Sequence, residues 1–213
     1  KNAKLNFDVQ DFRISANFTD YNYDYDNCYD ENFASSNDCV QDGEKYNIAI
    51  NNEYFTLGRT EDKAKYFTGE YESYWNESST DYLRIGDQTN LSNKLQVGYG
   101  VDASHEQYMT ASGDHNRDNY GAYLNINADF AMKYNFGFRV GNEDQNALRF
   151  GLEKGPFFLN VGNSFRRPTL YELNGDSSVD ANLDLLPEEG IGYEIGFGVL
   201  SIFKYEFEEA IEY

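Results

Sequence analysis

The sequence predicts an all-β fold of antiparallel strands, and three observations support that prediction. Apolar and polar residues alternate with a period of two along several segments, as in strands with one apolar and one polar face. Tyrosine, phenylalanine and tryptophan make up 17% of the 213 residues, and aromatic side chains favour strands. The connections between the alternating segments are alternately tight and long. No apolar stripe of helical length competes with this interpretation.

The clearest alternation lies between residues 95 and 140. One apolar face is formed by Leu95, Val97, Tyr99, Val101 and Ala103. A second is formed by Tyr120, Ala122, Leu124, Ile126 and Ala128, and a third by Tyr134, Phe136, Phe138 and Val140. Further strands are predicted at 12–18, 148–152, 157–165, 191–199 and 201–207. Residues 45–92 are also strand-like, but their pattern does not define which residues share a face.

The connections favour a transmembrane β-barrel. Tight turns are predicted at 131–133, 154–156 and 198–200, and long polar loops at 20–44, 105–118, 141–147 and 166–189. Short turns at one end and long loops at the other are typical of outer-membrane barrels. Two strands with one loop and one turn use about 40 residues, so roughly ten strands are expected. A soluble β-sandwich with its polar face outward stays an alternative, although it leaves the loop asymmetry unexplained.

The charge balance limits the kinds of partner. A formal net charge of -20 argues against a nucleic-acid partner, because phosphate binding needs clustered lysine and arginine. The same charge permits cation binding. No apolar run approaches the roughly 20 residues of a membrane-spanning helix, so an α-helical membrane protein is excluded.

Four segments carry a resemblance to a known family. They are YGAYLNI at 120–126, GNSFRRPTLYELNG at 162–175, NLDLLPEEGIGYEIGFG at 182–198 and SIFKYEFEEAIEY at 201–213. Together they resemble the barrel of TonB-dependent outer-membrane receptors, and most of all the cobalamin and siderophore branch. Matching positions are Gly162, Ser164, Phe165, Arg166, Pro168, Thr169, Leu170, Glu172, Leu173, Asn182, Leu185, Pro187, Glu188, Tyr193, Glu194 and Gly196. Departures from the family pattern are Asn163, Arg167, Leu183 and Leu186.

The resemblance implies a function and a location. The resemblance implies a 22-stranded barrel that is filled by an N-terminal plug, and the plug contacts TonB. Residues 1–213 are therefore expected to be a segment of that barrel domain, without the plug or the final strands, in the outer membrane of a Gram-negative bacterium. The implied function is TonB-dependent uptake of a small-molecule nutrient, cobalamin or an iron-siderophore complex. A passive porin-like or structural barrel and a secreted calcium-binding β-sandwich remain alternatives.

The loop at 166–189 contains the candidate ligand or loop residues Arg166, Arg167, Tyr171 and Glu172. Guanidinium groups pair with carboxylates through two parallel hydrogen bonds, and such pairs hold a loop in place. The candidate carboxylates are those of Glu172, Glu188 and Glu189. A structural role for the two arginines is expected, and direct contact with an anionic ligand is the alternative.

The acidic segment 20–39 is a candidate calcium site. Hard oxygen ligands at this density suit calcium, although their spacing is not that of an EF-hand loop. The resemblance to the cobalamin receptor implicates Tyr23 and Asp24, and Asp26 and Asp30 complete the expected ligand set. A solvated acidic loop is the alternative interpretation.

Cys28 and Cys39 enclose a short polar segment, which suits a disulfide that closes a surface loop in an oxidising compartment. Two unpaired thiols are the alternative. Catalysis is not expected, because His105 and His115 lie in a predicted loop without the helical spacing of a metalloprotease. A nucleophile elbow is missing from the sequence as well.

Overall fold

A computed structural model describes residues 1–143, 145–175 and 180–208, most of which lie in strands. The elements are, in chain order, β1 (Asn2–Val9), β2 (Phe12–Tyr25), β3 (Cys28–Tyr29), β4 (Ser35–Ser36), β5 (Cys39–Asn51), β6 (Phe55–Thr68), β7 (Tyr71–Ser92), β8 (Leu95–Thr110), β9 (Gly113–Asp129), β10 (Lys133–Gly141), β11 (Ala147–Lys154), β12 (Phe157–Arg166), α1 (Leu170–Asn174), β13 (Glu188–Phe197) and β14 (Leu200–Glu208).

Twelve of these strands form one sheet, and consecutive strands are neighbours in it. The order is β1-β2-β5-β6-β7-β8-β9-β10-β11-β12-β13-β14, while β3 and β4 form a separate two-stranded ribbon. The all-β antiparallel prediction is confirmed. The sheet exceeds the expected roughly ten strands, because β1 was not predicted and the segment 45–92 contributes parts of three strands.

The register confirms the predicted division into an apolar and a polar face. Phe136 on β10 lies opposite Ile126 on β9 and Phe150 on β11. The adjacent Asn135 lies opposite Asn127 on β9, and the two amides share a hydrogen bond. Since residues opposite each other in a ladder share a face, one face of these strands is apolar and the other carries amides.

The tight turns are confirmed and two of the long loops are shorter than predicted. Turns at 130–132, 155–156 and 198–199 join successive strands. Residues 105–118 are not a loop, since β8 continues to Thr110 and β9 begins at Gly113, which places His105 and His115 in strands. The segment 20–44 is strand as far as Tyr25 and again from Cys39. At 105–118 the strands carry polar residues on both faces, so alternation of apolar residues gives little signal there, whereas at 20–25 tyrosines alternate with acidic and amide residues.

Two predicted loops retain most of their length. The loop between β10 and β11 covers 142–146, of which residue 144 lies outside the described residues. The loop between β12 and β13 covers 167–187 and contains α1, with 176–179 outside the described residues. No helix in the described ranges is long and apolar enough to cross a membrane.

Aromatic rings on the polar face lie against glycines of neighbouring strands. The ring of Tyr82 on β7 covers Gly58 on β6, so that a Cβ there would lie 2.5 Å from Cζ of Tyr82. The ring of Tyr123 on β9 covers Gly100 on β8 in the same manner. Real Cβ atoms do not approach so closely, so glycine is required at both positions.

Contacts along the chain divide it into two compact units. One unit comprises Lys1–Leu83, Ser104–Asp118 and Asn174–Asn182, and the other comprises Arg84–Ala103, Asn119–Leu173 and Leu183–Tyr213. The cysteines and the acidic segment 20–39 belong to the first unit. The paired arginines and their loop as far as Leu173 belong to the second.

Candidate functional site

Arg166 holds two carboxylates at the end of β12. Its Nε donates to Oε2 of Glu188 at 2.6 Å, and its Nη2 donates to Oε1 of the same carboxylate at 3.2 Å. Its Nη1 lies 3.1 Å from both carboxylate oxygens of Glu172. Glu188 and then Glu172 raise the pKa of Arg166, because both stabilise the charged guanidinium. One side chain therefore joins the end of β12 to the start of β13 and to α1.

Glu172 lies in α1 and is only 4% exposed. Its Oε2 accepts from the backbone N–H of Thr169 at 2.6 Å, while Oγ1 of Thr169 accepts from the N–H of Glu172 at 3.1 Å. This reciprocal pair is a capping box, which satisfies backbone donors at the start of a helix. The sequence Thr169 to Glu172 therefore forms a helical turn directly after Pro168, and that turn places the buried carboxylate beside Arg166.

Arg167 binds a different partner from its neighbour. Its Nη2 donates to Oε2 of Glu143, which lies in the loop between β10 and β11. Only 10% of the Arg167 side chain is exposed. The two adjacent arginines therefore bind different carboxylates of the second unit. Arg166 binds Glu172 and Glu188, and Arg167 binds Glu143.

Glu189 and Tyr171 are the remaining candidates of this loop. Glu189 does not bind Arg166, because it pairs with Phe165 in the β12–β13 ladder and lies one position from Glu188, on the other face of the strand. Tyr171 is half-buried in α1, beside Glu172. Its role in ligand binding stays a prediction.

The segment between Cys28 and Cys39 is closed by a disulfide, with the two Cα atoms 5.9 Å apart. Oγ1 of Thr68, at the end of β6, donates to the carbonyl oxygen of Tyr29 at 2.9 Å. Both cysteine residues are buried. The disulfide between Cys28 and Cys39 closes the loop, and the hydrogen bond from Thr68 attaches it to β6.

The predicted calcium ligands do not come together. Tyr23 and Asp24 are consecutive in β2 and point to opposite faces, and the Tyr23 hydroxyl donates to Gln41. Oδ1 of Asp30 accepts from the backbone N–H groups of Asn32 and Ala34, each at 2.9 Å. Within 1–143, 145–175 and 180–208, no three His, Cys, Asp or Glu side chains form a metal-binding group. The described arrangement therefore lends no support to a calcium site at 20–39, which stays a prediction.

Six tyrosines line the polar face of the first unit, and we call this set the tyrosine row. Its members are Tyr21, Tyr23, Tyr25, Tyr66, Tyr74 and Tyr108. The rings of Tyr21 and Tyr23 are stacked with centroids 5.9 Å apart. The ring of Tyr25 meets that of Tyr66 edge to face at 6.4 Å. Aromatic rings at these separations attract each other.

The row continues across two more strands. The ring centroid of Tyr66 lies 5.5 Å from that of Tyr74, and the hydroxyl oxygens of Tyr74 and Tyr108 are 2.7 Å apart. The sequence YNYDY at 21–25 indicates part of the tyrosine row, because its three tyrosines occupy alternate positions and alternate residues of a strand share a face. The acidic composition of 20–39 predicts a loop there, so the sequence analysis does not predict the row.

The comparison with protein families decides the identity of the fold. A family described as TonB dependent receptor-like, beta-barrel, matches residues 1–205. The chain belongs to the TonB-dependent receptor family. No individual curated protein matches the sequence. A soluble β-sandwich is therefore set aside, and the family is one of receptors rather than enzymes.

A solved structure supports the receptor fold. The siderophore receptor PirA from Pseudomonas aeruginosa matches with a TM-score of 0.62 and 15% sequence identity. The alignment covers 97% of this chain and 41% of PirA, so the chain spans less than half of that receptor's length. At this identity the likeness shows a shared fold. The ligand of a receptor containing this chain is a separate question.

Proposed function

We propose that this chain is part of the barrel of an outer-membrane receptor that imports cobalamin or an iron-siderophore complex with energy from TonB. The match of the receptor barrel family over residues 1–205 is the observation that carries this proposal. The segments at 162–175 and 182–198 add to it, because they resemble the cobalamin and siderophore branch.

Contact with outer-membrane lipid accounts for the exposed apolar face. On β13 and β14, Ile191, Ile195 and Ile202 are between 42% and 77% exposed. They lie on one face of the ladder, where Ile195 is opposite Ile202. Exposed apolar area of this kind is covered by lipid or by another protein in its working environment. Location in the outer membrane of a Gram-negative bacterium follows from the proposed family role.

Import requires that the receptor bind its ligand differently in two states. A ligand with equal affinity for both states shifts no equilibrium, so TonB must change the ligand's surroundings. The barrel wall supplies fixed contacts, such as the clamp of Arg166 on Glu172 and Glu188. In this proposal TonB acts through the plug that the family resemblance implies, and the described strands and loops hold the ligand until the plug moves.

Uptake by the full-length receptor that contains this chain tests the proposal. The receptor is expressed in Gram-negative cells that lack their own cobalamin and siderophore receptors, with and without TonB, and radiolabelled cyanocobalamin and ferric siderophores are supplied. We expect concentrative uptake of one ligand class that falls to background without TonB. Uptake that is equal with and without TonB would indicate a passive porin. Uptake of neither class by a surface-exposed receptor would refute the proposed nutrients.

A further inference from the structure

The accessible part of the tyrosine row has ring faces to offer a ligand: Tyr108 is buried, whereas the other five tyrosines are half-buried or exposed. The Tyr21 hydroxyl donates to Oδ1 of Asp62 at 3.1 Å, and the Tyr23 hydroxyl donates to Gln41. The Tyr74 hydroxyl is bonded to that of Tyr108. These bonds fix the ends of the side chains and hold the rings in position. Tyr23 is 50% exposed, so its ring is accessible from the polar face of the sheet.

The charged groups near the row neutralise one another. Nζ of Lys45 lies 2.7 Å from Oδ2 of Asp62, the same carboxylate that accepts from Tyr21. Further along this face, Arg117 is paired with Glu106. These two positive charges near the row are therefore matched by carboxylates, and the whole chain carries a net charge of -20. A field of this sign repels anions and attracts cations.

The faces of the tyrosine rings also favour cations over anions. The face of an aromatic ring is the negative part of its quadrupole and attracts a cation that lies above it. Flat neutral groups also stack well on such rings, whereas an anion gains nothing from the face. Both the ring faces and the net charge favour a ligand that is neutral or positive.

We infer that the tyrosine row binds a metal complex that carries no net negative charge, through contact with its ring faces. This inference rests on the proposed import function and deepens it, because it selects among the nutrients that such a receptor could import. A cationic or neutral ferric hydroxamate and neutral cyanocobalamin satisfy the requirement. An anionic ferric tris-catecholate does not.

Equilibrium binding to the full-length receptor, in membranes from cells without TonB, separates these cases. The probes are ferrioxamine B as a cation, cyanocobalamin as a neutral complex and ferric enterobactin as an anion. We expect the tightest binding for ferrioxamine B or cyanocobalamin. Tyr23→Leu and Tyr66→Leu should weaken that binding about ten-fold, the order expected for loss of a ring face. Tyr23→Phe and Tyr66→Phe keep the ring face and should change binding by less than about three-fold.

Tyr71→Ala serves as the matched control, because Tyr71 lies on β7 three residues from Tyr74 and therefore on the opposite face. Its binding should equal that of the wild type. Tightest binding of ferric enterobactin, or equal loss in the Leu and Phe variants, would overturn the inference while import by the receptor still stood. Transport without TonB would instead overturn the proposed function and leave the binding result unaffected.

Discussion

Replacing Gly100 with valine in the full-length receptor is expected to prevent most of the protein from assembling as a folded barrel. A Cβ at this position would lie 2.6 Å from Cζ of Tyr123 and closer still to the carbonyl oxygen of Ile85. The carbonyl belongs to the backbone and cannot rotate away, so the strands themselves would have to separate. Overpacking costs about 1–3 kcal/mol even where side chains can adjust, and we expect a loss at or above that range. The measurement is the folded fraction in isolated outer membranes, scored by heat-modifiable electrophoretic mobility.

Gly98→Val is the matched control for this prediction. Gly98 is two residues from Gly100 on β8 and on the same face, but the nearest atom to a Cβ there is 3.8 Å away. Valine is also a favourable strand residue, so this variant should assemble like the wild type. Equal assembly of the two variants would show that Tyr123 and Ile85 do not pack against Gly100 as described.

Replacing Arg166 with alanine is expected to loosen the loop 167–187. The substitution leaves two carboxylates, one of them on the 4% exposed Glu172, without the guanidinium that lies between them. An unpaired buried charge is strongly unfavourable, so α1 should detach from the end of β12 in a larger fraction of molecules. Proteolysis of an opened segment follows the open population, and we expect cleavage within 167–187 to be about ten-fold faster.

Two further variants show whether the geometry of Arg166 matters. Arg166→Lys keeps the charge but cannot donate to two carboxylates in the same fork, so its cleavage rate should be intermediate. Arg149→Ala removes an arginine from β11 that takes no part in the clamp on Glu172 and Glu188, and it should leave the rate unchanged. A wild-type cleavage rate in Arg166→Ala would mean that the two ion pairs do not hold the loop.

The fold was predictable where each strand has one apolar face. Residues 120–129 show this clearly, because apolar and polar positions alternate and the register of β9 with β10 follows from them. The same reasoning failed at 105–118, where β8 and β9 continue with polar residues on both faces. Backbone hydrogen bonds extend those strands, and they leave no trace in hydropathy. The turn at Ser112 was therefore hidden inside an apparent loop.

The candidate site was predictable only where its partners are close in the sequence or belong to a family motif. Glu172 and Glu188 were expected as partners of Arg166, and both bind it. The pairing of Arg167 with Glu143 depends on the adjacency of two loops, which no local pattern encodes. The tyrosine row likewise depends on the packing of β2, β6, β7 and β8 and became visible only in the structure.

Cysteine labelling along β8 tests most directly that this chain crosses the outer membrane with its long loops outside. Cys28 and Cys39 form a disulfide, so a single new cysteine at Ser112, Val101 or Asn93 reports on its own position. With a membrane-impermeant maleimide, we expect Ser112→Cys to react in intact cells and Asn93→Cys to react only after permeabilisation. Val101→Cys, on the apolar face, should react with neither treatment. Equal labelling of all three in intact cells would contradict a membrane-spanning receptor barrel.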